Sequence, residues 1–223
     1  MRDFKSVCSY CNKTVPRQQI KKCANCQMVR YCSRDCQKAA WPTHKRCCST
    51  TLRDELEKDV DAAEKNAQFT KWLNFWRETF YKWSLIAMHL SKHPHDRLST
   101  HCFVVEVERN WDAPSSSPGK YYRMADGNVL SRDEVHQMFL EMSTPQDAVD
   151  SWKTDIRGNE TVQIVIFAEG LVRMIWFSIR DIEQRRTPIA HPEARALSDY
   201  IAEEWAVMLQ RIINSGDPKF LNI

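Results

Sequence analysis

The chain has 223 residues, 43% of them hydrophobic and 10% aromatic, enough for a small module plus one domain of ordinary size and too apolar for wholesale disorder. No apolar run approaches the roughly 20 residues that a membrane-spanning helix needs; the longest, residues 83–90, is flanked by Lys82 and Lys92. The net charge of +3 hides two opposed halves: residues 1–50 hold 11 Lys/Arg against 2 Asp/Glu, so +9, and residues 51–223 hold 21 against 27, so −6.

Residues 8–48 contain eight of the nine cysteines. Two C-x-x-C pairs come first, Cys8/Cys11 and Cys23/Cys26, then a C-x-x-x-C pair, Cys32/Cys36, then His44 followed by Cys47 and Cys48. A C-x-x-C turn offers two thiolates to one metal at little backbone cost, and residues four apart on a helix share a face. Zinc takes four tetrahedral S or N donors, so four ligand pairs supply two closed sites. Cys48 stands at i+4 from His44 and Cys47 at i+3, and both spacings are geometrically possible. The competing account, a disulfide framework, needs an oxidising compartment. The opening residues MRDFKS lead straight into the first pair with no apolar leader, so an intracellular protein with reduced thiols is expected. Nucleus and cytoplasm are not distinguishable, because Lys45-Arg46 and Arg185-Arg186 are too short to act as a confident import signal.

The same stretch resembles a MYND zinc finger. The likeness includes Tyr31, Gln37, Trp41 and Lys45 as well as the ligand types, and covers about a fifth of the chain. It selects Cys48 over Cys47. It also implies interleaved pairs, with Cys8, Cys11, Cys32 and Cys36 on one zinc and Cys23, Cys26, His44 and Cys48 on the other. A RING domain interleaves similarly, but its histidine falls in mid-pattern, so that fit is poorer. In such fingers a helical face carrying Gln37 and Trp41 forms a shallow groove for short proline-containing peptides of protein partners. Trp41 would supply an apolar wall and Gln37 a hydrogen-bonding amide. Ala24 stands inside the second C-x-x-C where some peptide-binding relatives carry serine.

Zinc also changes the charge. Seven thiolates and two Zn²⁺ bring the first 50 residues from +9 to about +6 and the whole chain near zero. A basic finger admits a nucleic-acid-associated regulator as an alternative, but neither a recognition helix nor a stacking platform accompanies the charge.

The finger has little apolar substance: Phe4, Val7, Val15, Ile20, Met28, Val29, Tyr31 and Trp41. Such a unit needs metal to fold. Ser33 suits the cap of a short helix bearing Cys36 and Gln37. Trp41-Pro42 is expected to interrupt that helix, with a second turn from Pro42 carrying His44 and Cys48. Residues 51–67 read as a charged helical connector with a sparse stripe of Leu52, Leu56, Val60, Ala63 and Ala67. Residues 68–91 read as a long helix in which Phe69, Trp72, Leu73, Trp76, Phe80, Trp83, Ala87 and Leu90 keep a 3–4 spacing, broadened by Phe75 and Ile86. This stripe is expected to be core, and Pro94 is expected to stop the helix. His93-Pro94-His95-Asp96 lacks the further ligands of a hydrolase metal site and suits a turn.

Residues 101–109 read as a strand with Phe103, Val105 and Val107 on one face. A second short strand near Tyr121 and Tyr122 is followed by a tight turn at Asp126-Gly127. Ser131-Arg-Asp-Glu134 is a capping box, and Thr144-Pro145 opens a further helix. Residues 161–168 and 171–179 form a hairpin about Glu169-Gly170. Residues 180–191 read as irregular. A single terminal helix from Pro192 to about Asn214 places Leu197, Ile201, Met208 and Ile212 inward.

The chain is therefore expected to be α+β: a two-zinc finger at 1–50, the connector at 51–67, and an α+β domain at 68–223 with a long aromatic helix and a small, mostly antiparallel sheet. That last part is loosely similar to C-terminal regions attached to MYND fingers in fungal proteins, a likeness that implies no activity. The expected function is an adaptor or scaffold docking protein partners, with no catalytic residues and no membrane association. A lysine-methyltransferase-like enzyme is the remoter alternative. The class that joins MYND to a SET domain carries a glycine-rich cofactor motif, an N-H-S/C segment and a late G-E-E-L-type segment, and none is present here.

Overall fold

The structure, a computed structural model, describes residues 6, 8–11, 13–25, 29–45, 48, 60–93, 96–142, 149–150, 152, 158–169, 171–179 and 181–220. Cys26, Cys47, the connector before Val60, Pro94, His95 and the helix expected at Thr144-Pro145 lie outside these. The chain divides into two compact units, Met1–Lys65 with Phe139–Asp155, and Asn66–Met138 with Ile156–Ile223. Its class is α+β, as expected.

The first unit holds the finger. Two short strands, β1 (Lys21–Lys22) and β2 (Arg30–Tyr31), pair antiparallel with Lys21 opposite Tyr31. Helix α1 (Arg34–His44) follows at once. Ser33 opens it: its Oγ accepts the Cys36 N–H at 3.1 Å, the expected cap. The expected break at Trp41-Pro42 does not occur, and Pro42 lies inside α1. Proline costs the helix one hydrogen bond, to the carbonyl four residues back. Here that carbonyl belongs to exposed Lys38, and the helix bond from Lys45 N–H to the Trp41 carbonyl still forms at 2.9 Å. Being one turn from the end, Pro42 meets little resistance. Cys8, Cys23 and Tyr31 form the buried centre, with Val29 and Ala40 among the half-buried groups around it.

The second unit is built on a four-stranded sheet in the order β4-β3-β5-β6. Its strands are β3 (His101–Arg109), β4 (Tyr122–Ser131), β5 (Thr161–Ala168) and β6 (Leu171–Ser178). Both outer pairings are antiparallel, and the central β3–β5 pairing is parallel. The aromatic stripe lies on helix α2 (Val60–Met88), where Phe69, Trp72, Leu73, Trp76, Phe80, Trp83 and Ala87 are buried, as is Leu90 just beyond the helix; Phe75, expected to broaden the stripe, is 40% exposed, and Ile86 is half-buried. Phe69 and Trp72 meet Tyr122 of β4 at ring separations of 5.1 and 5.6 Å, and Tyr81 meets Phe177 of β6 at 5.2 Å. The connector stripe fares differently: Ala63 is half-buried and Ala67 exposed. Helix α2 stops at Met88 and not at Pro94, because His89 turns into the left-handed region at φ 44°. A short helix α3 (Arg97–Thr100) leads into β3, and the capping box opens α4 (Arg132–Glu141). In that box the Ser131 N–H donates to Glu134 Oε2 at 2.7 Å, and the Glu134 N–H to Ser131 Oγ at 3.2 Å.

Three further expectations in this unit need correction. Asp126-Gly127 is not a turn but lies within β4, beside a bulge where Ala125 has no partner between the Glu106–Asp126 and Val107–Met124 pairs. Residues 180–191 include a short helix, α5 (Ile182–Arg186). The terminal helix is two, α6 (Pro192–Glu203) and α7 (Trp205–Ser215), separated by Glu204. Consequently Leu197 faces solvent at 60% exposure, Ile201 and Met208 are half-buried, and Trp205, Leu209, Ile212 and Ile213 make the buried face. Trp205 lies 4.6 Å from the Phe103 ring. Beside the bulge, Asn214 Oδ1 accepts the Met124 N–H at 2.9 Å and Gln210 Nε2 donates to the Ala125 carbonyl at 2.8 Å, which satisfies an edge strand with side chains from α7.

Candidate metal centre

The finger draws its donors from five places along the chain, the last of them Cys48, beyond the end of α1. The segment before β1 contributes Cys8 and Cys11, with the Cys8 N–H bonded to the Lys13 carbonyl at 3.0 Å and the Ser9 N–H to the Arg30 carbonyl at 2.7 Å. Cys23 follows β1, and its N–H donates to the Val29 carbonyl at 2.9 Å across a turn. Cys32 follows β2, and Cys36 and His44 ride on α1.

These donors gather into two clusters whose ligand atoms all lie within 4.8 Å of one another: Cys8, Cys11, Cys32 and Cys36, and separately Cys23, His44 and Cys48. Of the eight residues expected from the sequence, only Cys26 is not placed, being outside the described residues. The sulfur spacing tests the fit to zinc. A tetrahedron with Zn–S of about 2.3 Å has edges of about 3.8 Å. The measured Sγ–Sγ separations are 3.6 Å for Cys11–Cys32, 3.5 Å for Cys32–Cys36 and 3.6 Å for Cys23–Cys48. A disulfide would need about 2.05 Å, and no described cysteine forms one.

Electrostatics agree with the spacing. The Cys36 and Cys11 thiols push the Cys32 thiol up to about 12, since neighbouring sulfurs cannot all carry charge unaided. Burial pushes the Cys8 thiol up as well, but backbone amides at Cys11, Cys32 and Tyr10 outweigh it and bring Cys8 down to about 7. A divalent cation removes this conflict by offsetting the thiolates together.

The second cluster is framed by aromatic rings. His44 is buried, with its ring edge-on to Tyr31 at 6.1 Å and to Trp41 at 5.9 Å. Asn25 Nδ2 donates to the Cys48 carbonyl at 2.9 Å and to Cys48 Sγ at 3.3 Å. Sequence reasoning missed Asn25, and an asparagine inside a C-x-x-C turn is its only trace in the pattern. The two candidate docking residues lie one turn apart on α1: Gln37 is half-buried and Trp41 is 45% exposed. Trp41 is thus not packed away between the two clusters. One side of its ring supports His44 and the rest meets solvent.

Comparison with known proteins places these residues. Residues 8–48 match the family model of the MYND finger. The MYND-type zinc finger proteins samB of Aspergillus niger and Aspergillus fumigatus are each 51% identical to this chain over 35 residues, 16% of this chain and 6% of theirs. The histone-lysine N-methyltransferase SMYD3 of Mus musculus is 42% identical over 43 residues, 19% of this chain and 10% of its own. The chain therefore spans a tenth or less of the length of these relatives. No solved structure matches it.

Proposed function

With residues 8–48 a MYND-type finger, a zinc-binding protein-interaction domain, we propose that this chain is a non-catalytic adaptor that docks peptides of partner proteins on the α1 face of that finger. Cys8, Cys11, Cys32 and Cys36 hold one structural zinc, and Cys23, Cys26, His44 and Cys48 hold the other. Bound there, zinc supplies cross-links between segments that have almost no apolar core of their own. A catalytic zinc keeps a position open for water or substrate. Four protein donors per ion leave none, which supports the non-enzymatic reading.

The observation that carries the proposal is Trp41. It is a large apolar ring, 45% exposed, on a helix fixed at one end by Cys36 and at the other by His44. An exposed tryptophan on a rigid element suits an extended ligand that has little entropy to lose, such as a proline-containing peptide. Gln37, one turn earlier, offers an amide to the peptide backbone. The likeness to a histone methyltransferase spans only 43 residues and brings no methyl-transfer activity with it.

Calorimetric titration of the full chain with a library of proline-containing peptides tests the reading. Trp41→Ala should weaken binding at least tenfold while bound zinc is unchanged. Equal affinity in Trp41→Ala and wild type would contradict the groove.

A further inference from the structure

We propose that Asn25 is a positioning residue of the second metal site, and that its side-chain amide selects Cys48 as the ligand in preference to the adjacent Cys47. The inference rests on the two-site reading above and goes beyond it, because Asn25 is not itself a donor to metal.

Both contacts of Asn25 go to one residue. Nδ2 carries two hydrogens; it lies 2.9 Å from the Cys48 carbonyl oxygen and 3.3 Å from Cys48 Sγ. The orientation of the amide follows from its partners. The opposite rotamer would set Oδ1 against a carbonyl oxygen and a sulfur lone pair, two repulsions in place of two attractions. One contact fixes the backbone of Cys48 and the other its sulfur, so together they set the direction in which the thiolate points. Cys48 Sγ is thereby held 3.6 Å from Cys23 Sγ, the edge of a tetrahedral site. The chain needs such a device. His44 is followed by cysteines at both i+3 and i+4, and α1 ends at His44, so no helical register decides between them. An amide donor on a thiolate also stabilises its charge, and it sits in the turn that carries Cys23, so the second site is tied from both sides.

Outer-shell donors of this kind typically contribute 10–100-fold in metal affinity. The test is zinc release from the full chain to a colorimetric competitor, with a parallel Co²⁺ substitution to follow the sulfur-to-metal charge-transfer band. Two zinc ions per chain in wild type establish the two sites; fewer would defeat the two-site reading and not this one alone. Asn25→Ala is expected to loosen one ion at least tenfold and shift the charge-transfer band, while the other ion is released as in wild type, which also shows that the finger still folds. Asn25→Asp has the same size but no donor, and it should be at least as loose as Asn25→Ala. In the wild-type background Cys47→Ser should leave release unchanged and Cys48→Ser should accelerate it. In the Asn25→Ala background that difference should narrow. Wild-type behaviour in Asn25→Asp would reduce Asn25 to packing and overturn the proposal, as would an undiminished preference for Cys48 in Asn25→Ala.

Discussion

Cys11 and Cys32 stand 21 residues apart in the chain and 3.6 Å apart at their sulfurs. A weak S–H···S contact does not repay the ordering of so much chain. A shared divalent ion does, since structural zinc in finger peptides is worth an apparent ~10–16 kcal/mol. Chelation should therefore collapse the amide NMR dispersion of residues 8–48, and added Zn²⁺ should restore it.

Gly127 lies in β4 under Trp205. A Cβ there would fall 2.5 Å from Met124 Cε and 2.7 Å from Trp205 Cη2. The methionine end can move, but Trp205 is held against Phe103 at 4.6 Å. Gly127→Ala is expected to destabilise the second unit by about 1–3 kcal/mol through overpacking. Urea unfolding should show this as a lower midpoint with an unchanged slope.

Trp76 is fully buried, and its Nε1–H donates to the Gly119 carbonyl at 2.8 Å. The bond pins the loop before β4 onto α2. Trp76→Phe keeps most of the ring but strands a buried acceptor, which costs about 1–3 kcal/mol. The loss should appear in the same urea measurement, with faster hydrogen exchange at residues 119–121.

His89, His93 and His101 all sit below their ordinary value of 6.5. Burial is the largest cause for each, and for His89 it outweighs the attraction of Asp199, 3.1 Å away. A depressed histidine takes up its proton more readily in the unfolded chain. Its contribution to stability is therefore whole above pH 6.5 and is lost as pH falls through the lowered folded values. The melting temperature of the second unit, followed by exchange of its strand amides, should fall between pH 7.5 and 5.5. His89→Gln should flatten that fall.

Much of this was legible in the sequence where the rule is local or periodic. The donor pairs follow from their close spacing in the chain, although the four-residue pairs are not two faces of one helix: Cys32 stands before α1 and Cys48 beyond its end. The stripe from Phe69 to Ala87 follows from helical period, and the Ser131–Glu134 cap from its spacing. The illegible parts needed tertiary knowledge. Asp126-Gly127 carries a hairpin-turn signature, yet Gln210 and Asn214 of α7 satisfy the backbone beside it and the strand continues. Leu197 fits the apolar period of one long helix, but the break at Glu204 rotates it outward. Pro42 is a helix breaker by rule, and it was accommodated because it falls one turn from the helix end. Asn25 leaves only its place inside a C-x-x-C turn as a trace in the sequence, and its distance to Cys48 is what gives it a role.

Elemental analysis of the purified chain, paired with mass spectrometry of its cysteines without reduction, bears most directly on the two-site account. Two zinc ions per chain are expected, with Cys8, Cys11, Cys23, Cys26, Cys32, Cys36 and Cys48 all reduced. One ion or none, or a disulfide among those seven, would contradict it.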